Sequence, residues 1–139
     1  MTGALLAGCD IAGPAHPERD GRTYLENHGH PTPFVDRVVN GDKLDHGEVI
    51  DLSKCSSADV RFLVARNPNL TRDEIDIFIR DKNDFARSGA AWNTNLSPSQ
   101  IDILTEDPSH TVYCGLARNE ALSEDALLRL HKKRNPGIL

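Results

Sequence analysis

The chain has 139 residues, enough for one domain and a tail, with a net charge of −5 and a sequence pI near 5.6. An acidic balance of this kind argues against nucleic acid as a partner, because a nucleic-acid binder carries a basic footprint. Aromatic residues make up only 5% of the sequence, as expected where helices pack through Leu, Ile and Ala, and no apolar run is long enough to span a bilayer as a helix.

Residues 1–9 end in Leu6-Ala7-Gly8-Cys9. This matches the bacterial lipobox, in which small residues precede a cysteine that receives lipid after signal cleavage. Met1–Leu5 carries no Lys or Arg and is shorter than a full signal peptide, so residues 1–9 are read as the remnant of a lipoprotein signal, with Cys9 the lipidation candidate. Residues 10–33 are rich in Pro, Gly, His and charge and are expected to form a flexible, irregular leader, a spacer of the kind a lipid-anchored domain needs. Tyr24 and Leu25 are its one sizeable apolar pair and are candidates to dock on the domain that follows. His16, His28, His30 and His46 lack the spacing of a zinc site, so no metal and no cofactor is expected.

Residues 34–139 are organised by a repeat. Val60–Thr71, Ala86–Ser97 and Val112–Ser123 follow one another at a period of 26 residues, and a period of this size marks a repeat architecture. Asn67, Asn93 and Asn119 share a column, as do Leu70, Leu96 and Leu122. Thr71, Ser97 and Ser123 come next, then Ile75, Ile101 and Leu127, and then Phe78, Leu104 and Leu130.

These columns predict two short helices per unit. Thr71-Arg-Asp-Glu74 and Ser97-Pro-Ser-Gln100 are capping boxes, in which the hydroxyl accepts from the third amide and the Glu or Gln reaches back. Ser123 keeps the cap and loses the box. Apolar residues at helical spacing follow each cap. A second helix is expected over about Val60–Arg66, Phe85–Trp92 and Thr111–Arg118, closed by the Asn column in the left-handed conformation that Asn tolerates. Ala65, Ala91 and Ala117, with Gly89 and Gly115, form small-residue columns on it. A helix-interior Gly costs about 1 kcal/mol against Ala, so close helix packing is the expected reason. A fainter copy precedes these, with Asp45 as cap, Glu48, Val49 and Leu52 behind it, and Phe34, Val35, Val38 and Val39 as the incoming helix. The reading is all-α: a short α-solenoid of about four two-helix repeats, stabilised by stacking of neighbours.

The strings Ala65-Arg66-Asn67-Pro68-Asn69-Leu70-Thr71 and Leu116-Ala117-Arg118-Asn119-Glu120-Ala121-Leu122-Ser123 resemble the leucine-rich repeat variant, an α-solenoid family similar in style to HEAT and armadillo arrays. The resemblance implies a helical array over about Phe34–Lys133. The first described member of that family carries a cysteine-rich iron–sulfur segment. Nothing here matches it, so no cluster is implied.

Packed helices lie about 8–10 Å apart, which puts Cys55 and Cys114, two units apart, on the order of 20 Å from each other. A disulfide needs α-carbons within about 7 Å, so both thiols are expected to be free. Carboxylates gather at helix starts, where they favour the dipole, and no nucleophile–base set or phosphate loop is recognisable, so no enzyme is expected. The candidate partner-binding residues lie in two variable columns of the second helices: Arg61, Arg87 and Tyr113, and Arg66, Trp92 and Arg118. Arg, Trp and Tyr are the residue types that anchor protein interfaces. The alternative is that Arg66 and Arg118 complement helix ends while Trp92 fills a gap. The function expected is non-enzymatic protein binding, in its sharper form by a bacterial immunity or inhibitor lipoprotein, lipid-anchored in the periplasm, that neutralises a secreted toxin or effector. A cytoplasmic repeat adaptor or scaffold is the competing reading. Membrane contact is expected only through a lipid on Cys9.

Overall fold

Side-chain acceptors start the helices from His46 onward, and they recur with the sequence period. The structure is a computed structural model that describes residues 16–134. Among the described residues there are nine helices and no strand: α1 Pro17–Asn27, α2 Thr32–Asn40, α3 His46–Ser53, α4 Ala58–Ala65, α5 Arg72–Ile79, α6 Asp84–Trp92, α7 Pro98–Thr105, α8 His110–Ala117 and α9 Glu124–Arg134. At α5 the Thr71 hydroxyl accepts from Glu74 N at 3.1 Å while Thr71 N donates to Glu74 Oε1 at 2.9 Å. Ser97 and Gln100 repeat this at α7 at 3.1 and 2.9 Å. Ser123 Oγ accepts from Ala126 N at 3.1 Å, a cap without the box. Ser57, Asn83 and Ser109 cap α4, α6 and α8, a column of acceptors at the same period.

Two sets of neighbours build the core. α4 packs on α6 and α6 on α8; α3 packs on α5 and α5 on α7. Val60, Leu63, Val64, Ile75, Phe78, Leu104, Val112 and Leu116 are almost wholly buried between them. The small residues set the spacing. A Cβ at Gly89 would stand 2.5 Å from the Phe62 carbonyl oxygen and 3.0 Å from Ala65 Cβ, and at Gly115 it would stand 2.8 Å from the Ser88 carbonyl oxygen.

The Asn column does a different job from the one expected. No residue other than glycine has positive φ among the described residues, so these asparagines are not left-handed stops. They are buried and join successive turns. Asn93 Nδ2 donates to the carbonyls of Ala65 and Asn67 at 2.8 and 2.7 Å. Asn119 Nδ2 donates to Ala91 and Asn93, both at 2.8 Å. Asn67 Nδ2 donates to Asp42 O at 2.7 Å. Each Oδ1 accepts the amide two residues on. One side chain thus satisfies carbonyls left open at the preceding helix end and fixes its own turn.

Two expectations are corrected. The described part of the 10–33 stretch is not irregular: Pro17–Asn27 forms α1, with Pro17 at its first position and Glu18 and Asp20 in its first turn, both suited to a helix start. Its buried face is Gly21 and Leu25. A Cβ at Gly21 would meet Leu63 Cδ1 at 2.6 Å, so α1 sits hard against α4. By sequence period α2 is the counterpart of α4, yet α1 makes the larger contact with α4. The second correction concerns the thiols. Cys55 is free, but Cys114 is disulfide-bonded. The expectation that both thiols are free holds for Cys55 and fails for Cys114, because the distance argument bore only on a Cys55–Cys114 bridge. Cys9 lies outside the described residues.

Candidate protein-binding groove

The two arginine columns have different fates. Arg61 is only 9% exposed. Its Nε donates to Asp81 Oδ2 at 2.8 Å and Nη2 to Asp81 Oδ1 at 3.4 Å, while Nη1 donates to the Cys55 carbonyl at 2.5 Å. Arg87 repeats the arrangement on Asp107 at 2.8 and 3.3 Å and on the Asp81 carbonyl at 2.9 Å. These forks are internal struts, each tying a helix to the turn before it and to the turn that closes the next helix. Tyr113, third in the column, is buried. Arg134 supplies the missing cation: it lies 5.3 Å over the Tyr113 ring and donates to the Asp107 carbonyl at 3.3 Å. Burial pushes the Tyr113 phenol above its ordinary pKa, against the opposing pull of Arg134. Arg61, Arg87 and Tyr113 therefore form no outward ladder, because their polar atoms are committed within the fold.

Arg66, Trp92 and Arg118 come together. They line a groove of about 300 Å³ along the C-terminal ends of α4, α6 and α8, with Pro68, Thr94 and Glu120 on its rim. Each of the three is half-buried. The Arg66 guanidinium lies 5.3 Å over the Phe62 ring, the Trp92 ring meets Phe62 edge-on at 6.0 Å, and the Arg118 guanidinium lies 5.9 Å over Trp92. The result is a cation–aromatic–aromatic–cation run, each step a favourable quadrupole contact. Gly115 makes room for it, since a Cβ there would stand 2.9 Å from Trp92 Cδ1. Trp92 thus does both things weighed for it: one side packs on the core and the other faces the groove. Arg66 and Arg118 are also the C-cap residues of α4 and α8.

Sequence columns alone did not reach Glu18 or Phe62. Arg66 Nη2 donates to Glu18 Oε1 at 2.6 Å, and this hydrogen bond holds the Glu18 carboxyl below the ordinary glutamate range against the opposing effect of burial. Glu18 falls outside the period, so no column could flag it. Phe62 was visible only as the large member of a column it shares with Ser88 and Cys114.

Among the described residues no group of three or more His, Cys, Asp or Glu is placed to hold a metal ion, and no helix is long and apolar enough to cross a membrane. Comparison with protein-family models, curated proteins and solved structures finds no match to the chain.

Proposed function

We propose that this chain is a non-enzymatic protein-binding module: an array of about four two-helix repeats, similar to the leucine-rich repeat variant and HEAT-like arrays, that docks a protein partner along the Arg66–Trp92–Arg118 groove. The observation that carries the reading is the convergence of these three residues at one edge, while the other candidate column is spent on internal struts. Half-buried Trp and Arg over an apolar floor are the anchors that dominate binding energy in protein interfaces. The array reading is supported by helix starts that keep the 26-residue period in both sets of helices, α3, α5, α7 and α9 in one and α4, α6 and α8 in the other, and by the asparagine bonds between successive turns.

The sharper form of the proposal is an immunity or inhibitor lipoprotein that occupies a secreted toxin in the periplasm. The lipobox pattern Leu6–Cys9 motivates it. The anchor and the compartment are separate claims. Intact mass of the protein from its native membrane fraction tests the anchor: a lipidated Cys9 adds the mass of its acyl groups, and an unmodified mass ends the lipoprotein reading.

The functional test is titration of the full chain with candidate secreted toxins, α1 retained because it is part of the fold. The proposal expects saturable binding and loss of toxin activity, both abolished by Trp92→Ala. Neither binding nor protection with any such toxin would end the immunity reading.

A further inference from the structure

A depression of about 620 Å³ lies at the C-terminal ends of α3 and α5 and shares no lining residue with the Trp92 groove. Its lining carries four cations, Lys54, Arg61, Arg80 and Lys82, against one carboxylate, Asp81. That is a local excess of three positive charges (four less one) in a chain whose net charge is −5. Arg61 is already forked on Asp81, so the excess resides on the other three. Among the described residues the side chains of Lys54, Arg80 and Lys82 make no hydrogen bond or ion pair, and all three are exposed. We propose that this depression binds a phosphoryl-bearing anion, held by Lys54, Arg80 and Lys82.

The ordinary reason for a cation in such a place is the helix dipole, since Lys54 and Arg80 are the C-cap residues of α3 and α5. The repeat argues against it as a full account. Glu106 stands 26 positions after Arg80 and closes α7 in the same way, its amide donating to the Ile103 and Leu104 carbonyls. A C-cap of this chain therefore accepts an acid, and Lys82 lies outside the helices altogether. At Glu106 the charge is compensated by Lys133. In the two earlier units like charges gather with no open acid lining the depression, and they repel one another until an anion enters.

Bare carbonyls at helix ends would oppose an anion, but several here are already bonded. The Cys55 carbonyl accepts from Arg61 Nη1 at 2.5 Å and the Asp81 carbonyl from Arg87 Nη1 at 2.9 Å. The Asp51 and Leu52 carbonyls accept the amides of Lys54 and Cys55. A phosphate ester carries roughly −1.5 to −2 charge on three acceptor oxygens, so it can meet several cations at once, whereas a carboxylate brings a single charge. Lysine serves phosphate as a point charge and arginine as a fork. The volume falls within the roughly 300–1,000 Å³ of small-molecule sites. A soluble phosphate ester and a phosphorylated lipid head group offer the same chemistry.

Two probes distinguish those sources. Isothermal titration of the full chain uses sodium pyrophosphate, with citrate as a polycarboxylate of comparable charge. Sedimentation uses phosphatidylcholine vesicles with and without phosphatidic acid. Saturable binding is expected, weakened about twofold to fivefold in each of Lys54→Ala, Arg80→Ala and Lys82→Ala, the range for one exposed ion pair. It should be unchanged in Arg129→Ala/Lys132→Ala, which removes two cations from α9. Circular dichroism verifies that each variant is folded. Either ligand bound with this pattern of loss supports the site: pyrophosphate points to a soluble ester, and phosphatidic acid vesicles alone point to a lipid head group. Binding of neither, equal loss in the α9 pair, or citrate bound as tightly as pyrophosphate overturns the proposal. Toxin binding is judged separately, because Lys54, Arg80 and Lys82 do not line the groove.

Discussion

At the scale of single residues, the polar column inside the fold carries more weight than any surface pair. Asn93 is fully buried and its amide serves two carbonyls and one N–H. Asn93→Ala leaves the Ala65 carbonyl and the Asn95 N–H without these partners, while the Asn67 carbonyl keeps Leu70 N, and is expected to cost about 3 kcal/mol, since each buried unsatisfied group costs roughly 1–3 kcal/mol. Urea unfolding measures this, and a loss under about 0.5 kcal/mol would mean that the amide is incidental. The column was plain in the sequence but its role was not. A helix stop and a bond to a carbonyl 26 or 28 residues upstream call for the same residue. The arginine struts were more legible than the reading made them. Arg61 and Arg87 each have an Asp 20 positions on, whereas Tyr113 has Lys133 there: acid and base disappear together. Arg61→Ala is expected to cost about 3 kcal/mol, because it strands a mostly buried Asp81, and to leave partner affinity unchanged. Arg66→Ala should do the reverse.

At the scale of elements, backbone approach competes with helix propensity. Gly89→Ala improves intrinsic propensity by about 1 kcal/mol, yet its Cβ would press on the Phe62 carbonyl, and overpacking costs roughly 1–3 kcal/mol. Net destabilisation on thermal melting is expected, and a stabilised variant would mean that α4 and α6 can part freely. Glu74 gives the acid response of the α5 cap. Burial alone would raise its pKa, but the Thr71 amide and hydroxyl and His46, whose Nδ1 lies 2.8 Å from Glu74 Oε2, hold it below the ordinary glutamate value. Its charge therefore contributes stability above about pH 4.3 that is lost as pH falls through the lower folded value. The next unit carries Gln100 in the same box, so Glu74→Gln should keep the cap at neutral pH and flatten part of the acid loss. Urea midpoints compared at neutral and acid pH read both effects. Capping chemistry made the helix starts readable in the repeats. α1 escaped because its buried face holds only Gly21 and Leu25, too few apolar residues to stand out against the charge around them. Pro17 and the acids behind it were the available signal.

At the scale of the whole molecule, the proposed array has neighbours holding neighbours, so on that reading damage in a middle unit should spread both ways. Leu96 lies in a column that is apolar in every copy and is 8% exposed. Leu96→Asp is expected to remove on the order of 4 kcal/mol, a large share of the roughly 5–15 kcal/mol typical of a domain, and calorimetry should show one cooperative transition moving down as a unit. Periodicity made the helical class readable, along with the placing of Arg66, Trp92 and Arg118 on one edge. It could not show which cations had partners, because Asp81, Asp107 and Glu18 come from different elements. The claim on which the rest depends is that this edge is the docking surface. Isothermal titration of one protein partner into three forms of the full chain tests it: wild type, the Arg66→Ala/Arg118→Ala pair, and a Lys54→Ala/Arg80→Ala pair that removes cations from a depression outside the groove. The account predicts that affinity falls at least tenfold, about 1.4 kcal/mol, in the first pair and holds in the second. Equal loss in both, or loss only in the second, would contradict it.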